Sequence, residues 1–421
     1  MKQVDVILMY EHVSRELDSL LILKNELNRL GISCLILPIH FSRYWFTVKY
    51  RPKVVVLPYL YSCQNKTKRN FENSYDGIVF INLHHEQFYN DDTKEHLLPS
   101  DDYSKNVVHL SWSSRFSEDL LEVGVSESTI KILGNPRSDS YFSNVEDELC
   151  QLKSKYESII FVATTFSWAL VDESYFLNID SIDEGEFKRT RKITLEAAKA
   201  YFKDFYKLAN KFPRKLFVLR PHPFEDISVF KSLFFDVNDT NIVPDNILIS
   251  RDYNIYQWLK VSDITIGWCT TVNMEAALYN KDNVIYHPTY YPKEMELEFY
   301  RYYDIVGSYE VLESIISGEI SVQESPSYRN YINESFGVAD GKVNLRLAQE
   351  IKEIISCNDV GITFKSSFIK NVMKAITIDL AKHFLIKCNL LHKLDNNYAG
   401  ILEDNLSNKQ ILQEFERKFP C

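Results

Sequence analysis

The chain has no Cys-x-x-Cys pair, no long apolar run and no excess of positive charge. Its seven cysteines, at positions 34, 63, 150, 269, 357, 388 and 421, are scattered and odd in number. That pattern excludes a disulfide framework and a structural zinc site, and it fits a reducing compartment. No stretch reaches the roughly 18 apolar residues of a membrane span. Met1-Lys2-Gln3-Val4-Asp5 lacks the apolar centre of a signal peptide, so the expected location is the cytoplasm. A net charge of −10 argues against nucleic acid as a partner, yet leaves room for a local basic pocket that holds a phosphorylated ligand. With 12 glycines and 13 prolines in 421 residues, the sequence is not of low complexity.

What is present is a globular composition, 45% hydrophobic and 25% charged, on a chain too long for one ordinary core. The 26 tyrosines and 26 phenylalanines suit either large cores or surfaces on which sugars stack. Short apolar runs alternate with longer amphipathic ones, as in a parallel sheet flanked by helices. Strands are expected at Val4–Met9, Cys34–Leu37, Val54–Leu57, Ile78–Ile81, Val107–Leu110 and Ile130–Leu133. A leucine-rich helix follows the first strand, with Ser14 as expected N-cap and Gly31 as its stop. A charged segment, Asn144–Glu157, reads as a linker. A second series then begins at Ile159–Val162, with a long helix over Glu186–Asn210 and strands at Leu216–Leu219, Ile247–Ile249, Ile264–Ile266 and Val284–Tyr286. The expected fold class is α/β: two Rossmann-like, doubly wound domains facing across a cleft, the GT-B architecture, with a helical C-terminal extension. The expected boundaries are 1–145, 155–357 and 358–421. Within the extension, 364–391 reads as a basic amphipathic helix that either rests on an anionic membrane or packs back on the first domain.

Four motifs carry chemistry. Arg220-Pro221-His222-Pro223 follows a predicted strand, and in open parallel sheets ligands bind outside the carboxyl ends of the strands. Prolines stiffen that turn, so Arg220 and His222 are candidates for holding a phosphate and stabilising the charge that grows on a leaving nucleotide. The alternative is a turn whose His caps a helix. Gly267-Trp268-Cys269-Thr270-Thr271 reads as strand, turn and helix start, with Thr270 and Thr271 as phosphate donors and Glu275 as a ribose carboxylate. The plainer alternative leaves Glu275 in solvent. Thr164-Thr165, directly after the first strand of the second series, is a third phosphate-cradling candidate, or a polar loop.

In the first domain, Leu83-His84-His85-Glu86-Gln87-Phe88 follows a strand. Glu86 is the candidate base for an acceptor hydroxyl, or else a nucleophile toward the donor carbon. Adjacent His84 and His85 point to opposite faces if extended, so no metal is expected there. Both histidines, with Arg137 of Gly134-Asn135-Pro136-Arg137, are candidates for the acceptor side. Asp183-Glu184-Gly185 is an acidic triplet placed in a charged loop, where a catalytic role is not expected; Glu225 and Asp226 also follow the His-Pro turn.

Taken in order over residues 11–290, several segments resemble bacterial surface carbohydrate biosynthesis proteins, relatives of GT-B capsule and lipopolysaccharide enzymes that include the retaining β-Kdo transferases. The segments are Arg15-Glu16-Leu17-Asp18, Gly134–Arg137, Thr164-Thr165-Phe166, Arg220–Asp226 and Gly267–Thr271. The resemblance implies that His222 binds the phosphate of a CMP-linked ulosonic acid such as Kdo or a sialic acid. It implies further that Thr270 and Thr271 support that phosphate and Glu275 holds the ribose. The partners implied are a nucleotide sugar, used as substrate with no separate cofactor, and an oligosaccharide or lipid-linked glycan acceptor. Teichoic-acid glycerophosphotransferases look similar in the same two C-terminal motifs, which keeps CDP-polyol donors open. A UDP-sugar epimerase and a non-catalytic assembly protein share the fold. The chain departs from the relatives at His84-His85-Glu86-Gln87, where they tend to show Asp-Glu-Glu-Gly, and this bears on acceptor choice and donor chemistry.

Overall fold

Val6, Ile7, Leu8, Met9 and Tyr10 are all fully buried, which requires a strand covered on both faces. A computed structural model provides that cover; it describes residues 2–39, 43–88, 91–173, 183–279, 281–321, 326–357, 361–387 and 406–419. The strand, β1 (Lys2–Tyr10), is central in a parallel sheet with β2 (Cys34–Pro38), β3 (Tyr50–Leu57), β4 (Val79–Asn82), β5 (Val108–Ser111) and β6 (Ile130–Ile132). The order is β2-β1-β3-β4-β5-β6. Side chains alternate across the pleat. Val6, Leu8 and Tyr10 meet Leu20, Leu23 and Leu27 of the helix Asp18–Arg29, while Ile7 and Met9 join Leu57, Leu60 and Phe71 on the other face.

The chain forms two compact units, Met1–Ser140 with Glu334–Cys421, and Tyr141–Asn333. This differs from the expected boundaries at 145 and 357 in two ways. Asn144–Glu157 is not a bare linker: it contains a helix, Asp147–Lys155, whose Leu149 is buried in the core of the second unit. And the chain returns to the first unit at Glu334, well before 357. The anchor is Asp139, whose carboxylate accepts from the backbone amides of Val343 (3.1 Å) and Asn344 (2.7 Å) at the start of the helix Val343–Cys357. Negative charge at the first turn of a helix is favourable, and those amides have no partner within the helix. Leu347, Ala348 and Ile351 then extend the first unit's core. Gly134 permits the return: at φ +101° it occupies left-handed backbone, and a Cβ there would sit 2.4 Å from the Val338 carbonyl oxygen.

The second unit repeats the plan with β7 (Ser158–Thr164), β8 (Lys215–Arg220), β9 (Ile247–Ile249), β10 (Ile264–Trp268), β11 (Asp282–Tyr286) and β12 (Ile305–Val306). All pairs are parallel, in the order β9-β8-β7-β10-β11-β12. The long helix Glu184–Lys211 covers one face with Ala197, Ala198, Tyr201, Phe205 and Leu208. Strand order reverses between β7 and β10, the topological switch point at which such sheets bind ligands. The expected helix at 364–391 is present as Phe368–Lys387; residues 388–391 lie outside the described residues. The Phe368 ring packs at a tilt against Tyr75, and Asn371 donates to Ser74, so the helix packs on the first unit.

Candidate functional site

In the second unit the register does much of the work. Thr164 pairs with Trp268, and Ala163 with Arg220, so three predicted motifs leave their strands at one end of the sheet. The Thr165 amide donates to the Trp268 carbonyl (3.2 Å) and joins two of the turns directly. Gly267 is obligatory where it stands: a Cβ would lie 1.8 Å from Oδ1 of Asn273, a fully buried side chain whose Nδ2 donates to the Val284 carbonyl at 3.0 Å. Cys269 next adopts φ +48°, an uncommon conformation for a residue with a Cβ and one that collects at functional turns. The helix that follows, Val272–Leu278, has only seven residues, and its Val272 amide donates to the Thr270 hydroxyl (3.3 Å). Glu275 is buried and accepts from the Tyr256 hydroxyl (3.2 Å), so it does not face solvent.

The His-Pro turn is held from behind by Glu225, which is almost completely buried. One oxygen accepts from the His222 amide and the other from the Ser167 hydroxyl, both at 3.1 Å, so this carboxyl ties the Thr164–Ser167 turn to the Arg220–Pro223 turn. Burial pushes its pKa up to about 8, against the pull of those donors and of the Phe166 amide. Arg251 donates to the Pro223 carbonyl (2.6 Å). Burial, then the neighbouring Arg251 charge, brings Arg220 down to about 10, so it remains a cation at neutral pH while donating to the Asp252 carbonyl (3.1 Å). The Phe224 amide approaches His222 Nδ1 at 3.3 Å. An amide can only donate, so Nδ1 is the acceptor and Nε2 carries the proton of the neutral ring. The turns that carry Thr164 and Thr165, Arg220 and His222, and Thr270 and Thr271 thus leave neighbouring strands at one end of the sheet, beside its switch point.

In the first unit, strand order reverses between β1 and β3, and a charged cluster lies past the ends of β1 and β4. The helix after β1 opens with a π-helical turn, Val13–Leu17, with His12 rather than Ser14 in the N-cap position. This turn puts Arg15 among three carboxylates. Its Nη2 is 2.9 Å from Glu11 and 2.7 Å from Glu16, and its Nη1 is 3.8 Å from Glu86. Glu16 is fully buried; burial would raise its pKa, but the His85 and Arg15 charges outweigh that and hold it well below the usual carboxylate range. His85 Nε2 lies 3.3 Å from Glu16. Glu86 is part-exposed, and its Oε1 makes no hydrogen bond among the described residues.

His84 does not belong to this cluster. It sits at φ +45°, fully buried, with Nε2 2.8 Å from His109 Nδ1, facing away from His85. His109 Nε2 meets the Lys105 carbonyl (3.1 Å) and must donate to it, so Nδ1 accepts and His84 Nε2 carries a proton. Burial, and then His109, keeps His84 well below its ordinary pKa; burial lowers His109 to about 4. An acceptor role for His84 is therefore corrected to a structural one. Arg137 is buried with its guanidinium 5.4 Å over the Trp112 ring, and with Glu16 and His85 it lines a cavity of only about 10 Å³, too small for a sugar. Asp183 caps the helix Glu184–Lys211 by accepting from the Glu186 amide (3.0 Å).

Sequence reasoning missed Glu11 and the chemical roles of Arg15 and Glu16, as well as Glu225 and Arg251 as supports. Glu11 stands immediately past the carboxyl end of β1, which is the only signal the sequence offers for it.

No protein-family model matches the chain and no curated protein matches it in sequence. Solved structures do match. The wall teichoic acid polymerase TagF is 10% identical with a TM-score of 0.55, covering 85% of this chain and 90% of that one. A substituted form of that polymerase soaked with CDPG is 11% identical with a TM-score of 0.53, covering 84% and 88%. The UDP-GlcNAc 2-epimerase of Methanocaldococcus jannaschii, in complex with UDP-GlcNAc and UDP, is 14% identical with a TM-score of 0.50, covering 84% and 100%. At such identities the likeness establishes the fold. The chain has the GT-B fold.

Proposed function

We propose that the chain is a transferase that uses a nucleotide-activated donor to extend a bacterial surface polysaccharide, with a CMP-linked ulosonic acid such as Kdo or a sialic acid as donor. The reading is supported by the register that brings the turns bearing Arg220, His222 and the four threonines to one end of the second unit's sheet, and by a His222 ring whose Nδ1 accepts from the Phe224 amide and so leaves Nε2 to donate. In this reading the second unit holds the nucleotide. His222 donates to the phosphate, Arg220 adds a fixed positive charge, and Glu275, seated against Tyr256, faces the ribose. Preorganised donors of this kind stabilise the charge that builds on the departing phosphate oxygen. The bond from the sugar carbon to that oxygen breaks, CMP leaves, and a bond to the acceptor oxygen forms. No metal is required for these roles.

The first unit holds the acceptor. Glu86 takes the proton of the attacking hydroxyl, Arg15 stands 3.8 Å from that carboxylate and orients it, and His85 and Arg137 support the Glu16 side of the network. A second reading, transfer of a polyol phosphate from a CDP donor, draws support from the likeness to TagF, at the highest TM-score of the three. Incubation with CMP-Kdo, CMP-sialic acid and CDP-glycerol, followed by mass analysis of the product, separates the two. A glycoside without phosphorus supports the first reading, and a retained phosphodiester replaces it with the second. Turnover of none of these donors, with no nucleotide bound, leaves a non-catalytic assembly protein.

The site of action is proposed to be the cytoplasmic face of the inner membrane. No helix among the described residues is long and apolar enough to cross a membrane. The helix Phe368–Lys387, however, exposes Ile369 (74%), Met373 (61%), Ile376 (40%), Leu380 (66%) and Phe384 (64%) at steps of three and four residues. These form a single stripe. Lys365, Lys370, Lys374 and Lys387 accompany it on a chain of net charge −10, a pairing of apolar stripe and cations that suits anionic lipid.

A further inference from the structure

The first unit carries a second open feature at its switch point, a groove of about 270 Å³ beside the end of β3. That volume lies at the lower edge of the ~300–1,000 Å³ typical of small-molecule sites, room for one ring rather than a chain of them. Its wall is aromatic for a reason legible in the backbone. Tyr59 and Tyr61 follow β3 two residues apart and lie side by side, while Leu60 between them is buried in the core. Their rings stack at 5.5 Å between centroids and 14° between planes.

This wall is rigid. The Tyr59 carbonyl accepts from Asn65 Nδ2 (3.3 Å), the Leu60 carbonyl from Asn82 Nδ2 (3.0 Å), and the Tyr61 carbonyl from the Ser100 amide (2.8 Å) and hydroxyl (3.0 Å). Three successive carbonyls are thus fixed by donors from Asn65, Asn82 and Ser100, so the backbone that carries the two rings is held in place. The floor is polar at its rim, with Ser62, Gln64 and Lys66. The Tyr59 hydroxyl donates to Glu11 (3.1 Å), which links the groove to the Arg15 carboxylate cluster and through it to Glu86.

A flat aromatic face beside hydroxyl, amide and ammonium groups matches one ligand chemistry. The ring of a pyranose presents C–H groups that pack by dispersion on an aromatic face, while its hydroxyls point outward to hydrogen-bonding groups. We infer that the Tyr59–Tyr61 groove is a subsite for a single pyranose ring, the terminal sugar of the acceptor. The inference rests on the transferase reading above for its role, and on the groove alone for the ligand class.

The test is saturation-transfer NMR on the full chain, with the methyl glycosides of glucose, N-acetylglucosamine and sialic acid as probes and glycerol phosphate as a ringless control. The expected result is saturation of the C–H protons on one face of a pyranose probe and none on glycerol phosphate. Binding should weaken about three- to tenfold in Tyr61→Leu, which removes the ring but keeps apolar bulk, and survive in Tyr61→Phe. Thermal melting confirms that both variants fold. Saturation of no glycoside, saturation of glycerol phosphate alone, or an undiminished signal in a folded Tyr61→Leu overturns the inference. Nucleotide binding measured on the same samples separates it from the donor assignment: glycoside binding without nucleotide binding sinks the donor reading and leaves the groove standing, and the reverse sinks the groove alone.

Discussion

Replacing Gly267 with alanine should cost the second unit about 2–6 kcal/mol, a large part of the ~5–15 kcal/mol that holds a typical domain together. The added Cβ would lie 1.8 Å from Asn273 Oδ1 and 2.8 Å from Thr270 Cγ2. Asn273 has nowhere to go without giving up its Nδ2 contacts to the Val284 carbonyl (3.0 Å) and to Asn283 Oδ1 (3.3 Å). Stranding one buried carbonyl costs about 1–3 kcal/mol, and overpacking a well-filled core about as much again. Asn273→Ala alone should cost about 1–3 kcal/mol, because it strands the same carbonyl without a clash. In the double variant the clash with Asn273 is gone and only the contact with Thr270 Cγ2 remains, so its cost should approach that of Asn273→Ala and fall short of the sum by most of the Gly267→Ala cost, about 2–6 kcal/mol. Urea unfolding followed by tryptophan fluorescence reads this, since Trp268 adjoins the substitution. A single Gly267→Ala within ~0.5 kcal/mol of the parent, or a double variant as unstable as the sum, would refute the packing argument.

Other perturbations follow from the same geometry. Glu225 has a folded pKa of about 8, above its unfolded value of 4.5, so its contribution to stability is present below about 4.5 and lost as pH rises toward 8. Glu225→Gln should therefore gain on the parent in thermal unfolding between pH 5.5 and 8.5, and a difference independent of pH would contradict the assignment. His109, held at about 4 by burial, should show a neutral ring with its proton on Nε2 at pH 5.5 in long-range nitrogen correlation spectra; protonation above pH 6 would contradict the His84–His109 pairing. Phe384→Asp or Ile369→Asp should weaken binding to anionic vesicles roughly ten- to a hundredfold, the value of burying one large apolar side chain, and unchanged binding would remove the membrane proposal.

Strands and long helices were readable because burial on both faces leaves continuous apolar runs: Ile159–Val162 and Ile264–Ile266 signal themselves, and Glu186–Asn210 lies within one residue or two of its true helix. The short edge strand Ile305–Val306 gives no such signal, since two residues carry no period. The fate of residues 334–357 was hidden for a different reason. A helix advertises that it has an apolar face, but nothing in Val343–Cys357 says which core receives it; that depends on Asp139, some 200 residues earlier. The donor motifs were legible as motifs, and their convergence depends on strand order, which places β10 beside β7. Glu225 was visible as a carboxylate near a turn, while its burial and its two hydrogen bonds come only with the fold. His84 and His85 show the limit of local reading: the positive φ of His84 sends one imidazole to His109 and leaves the other beside Glu16.

The central claim is that the second unit's switch point binds a nucleotide phosphate through His222. Titration calorimetry of the purified chain with CMP, CDP, UDP and GDP tests it most directly, repeated with His222→Ala. The account predicts selective binding of a cytidine nucleotide, CMP above the others, lost or weakened about 10- to 100-fold in the variant, in line with removal of one charge-assisted hydrogen bond. Equal affinity in parent and variant, or binding of none of the four nucleotides, would contradict it.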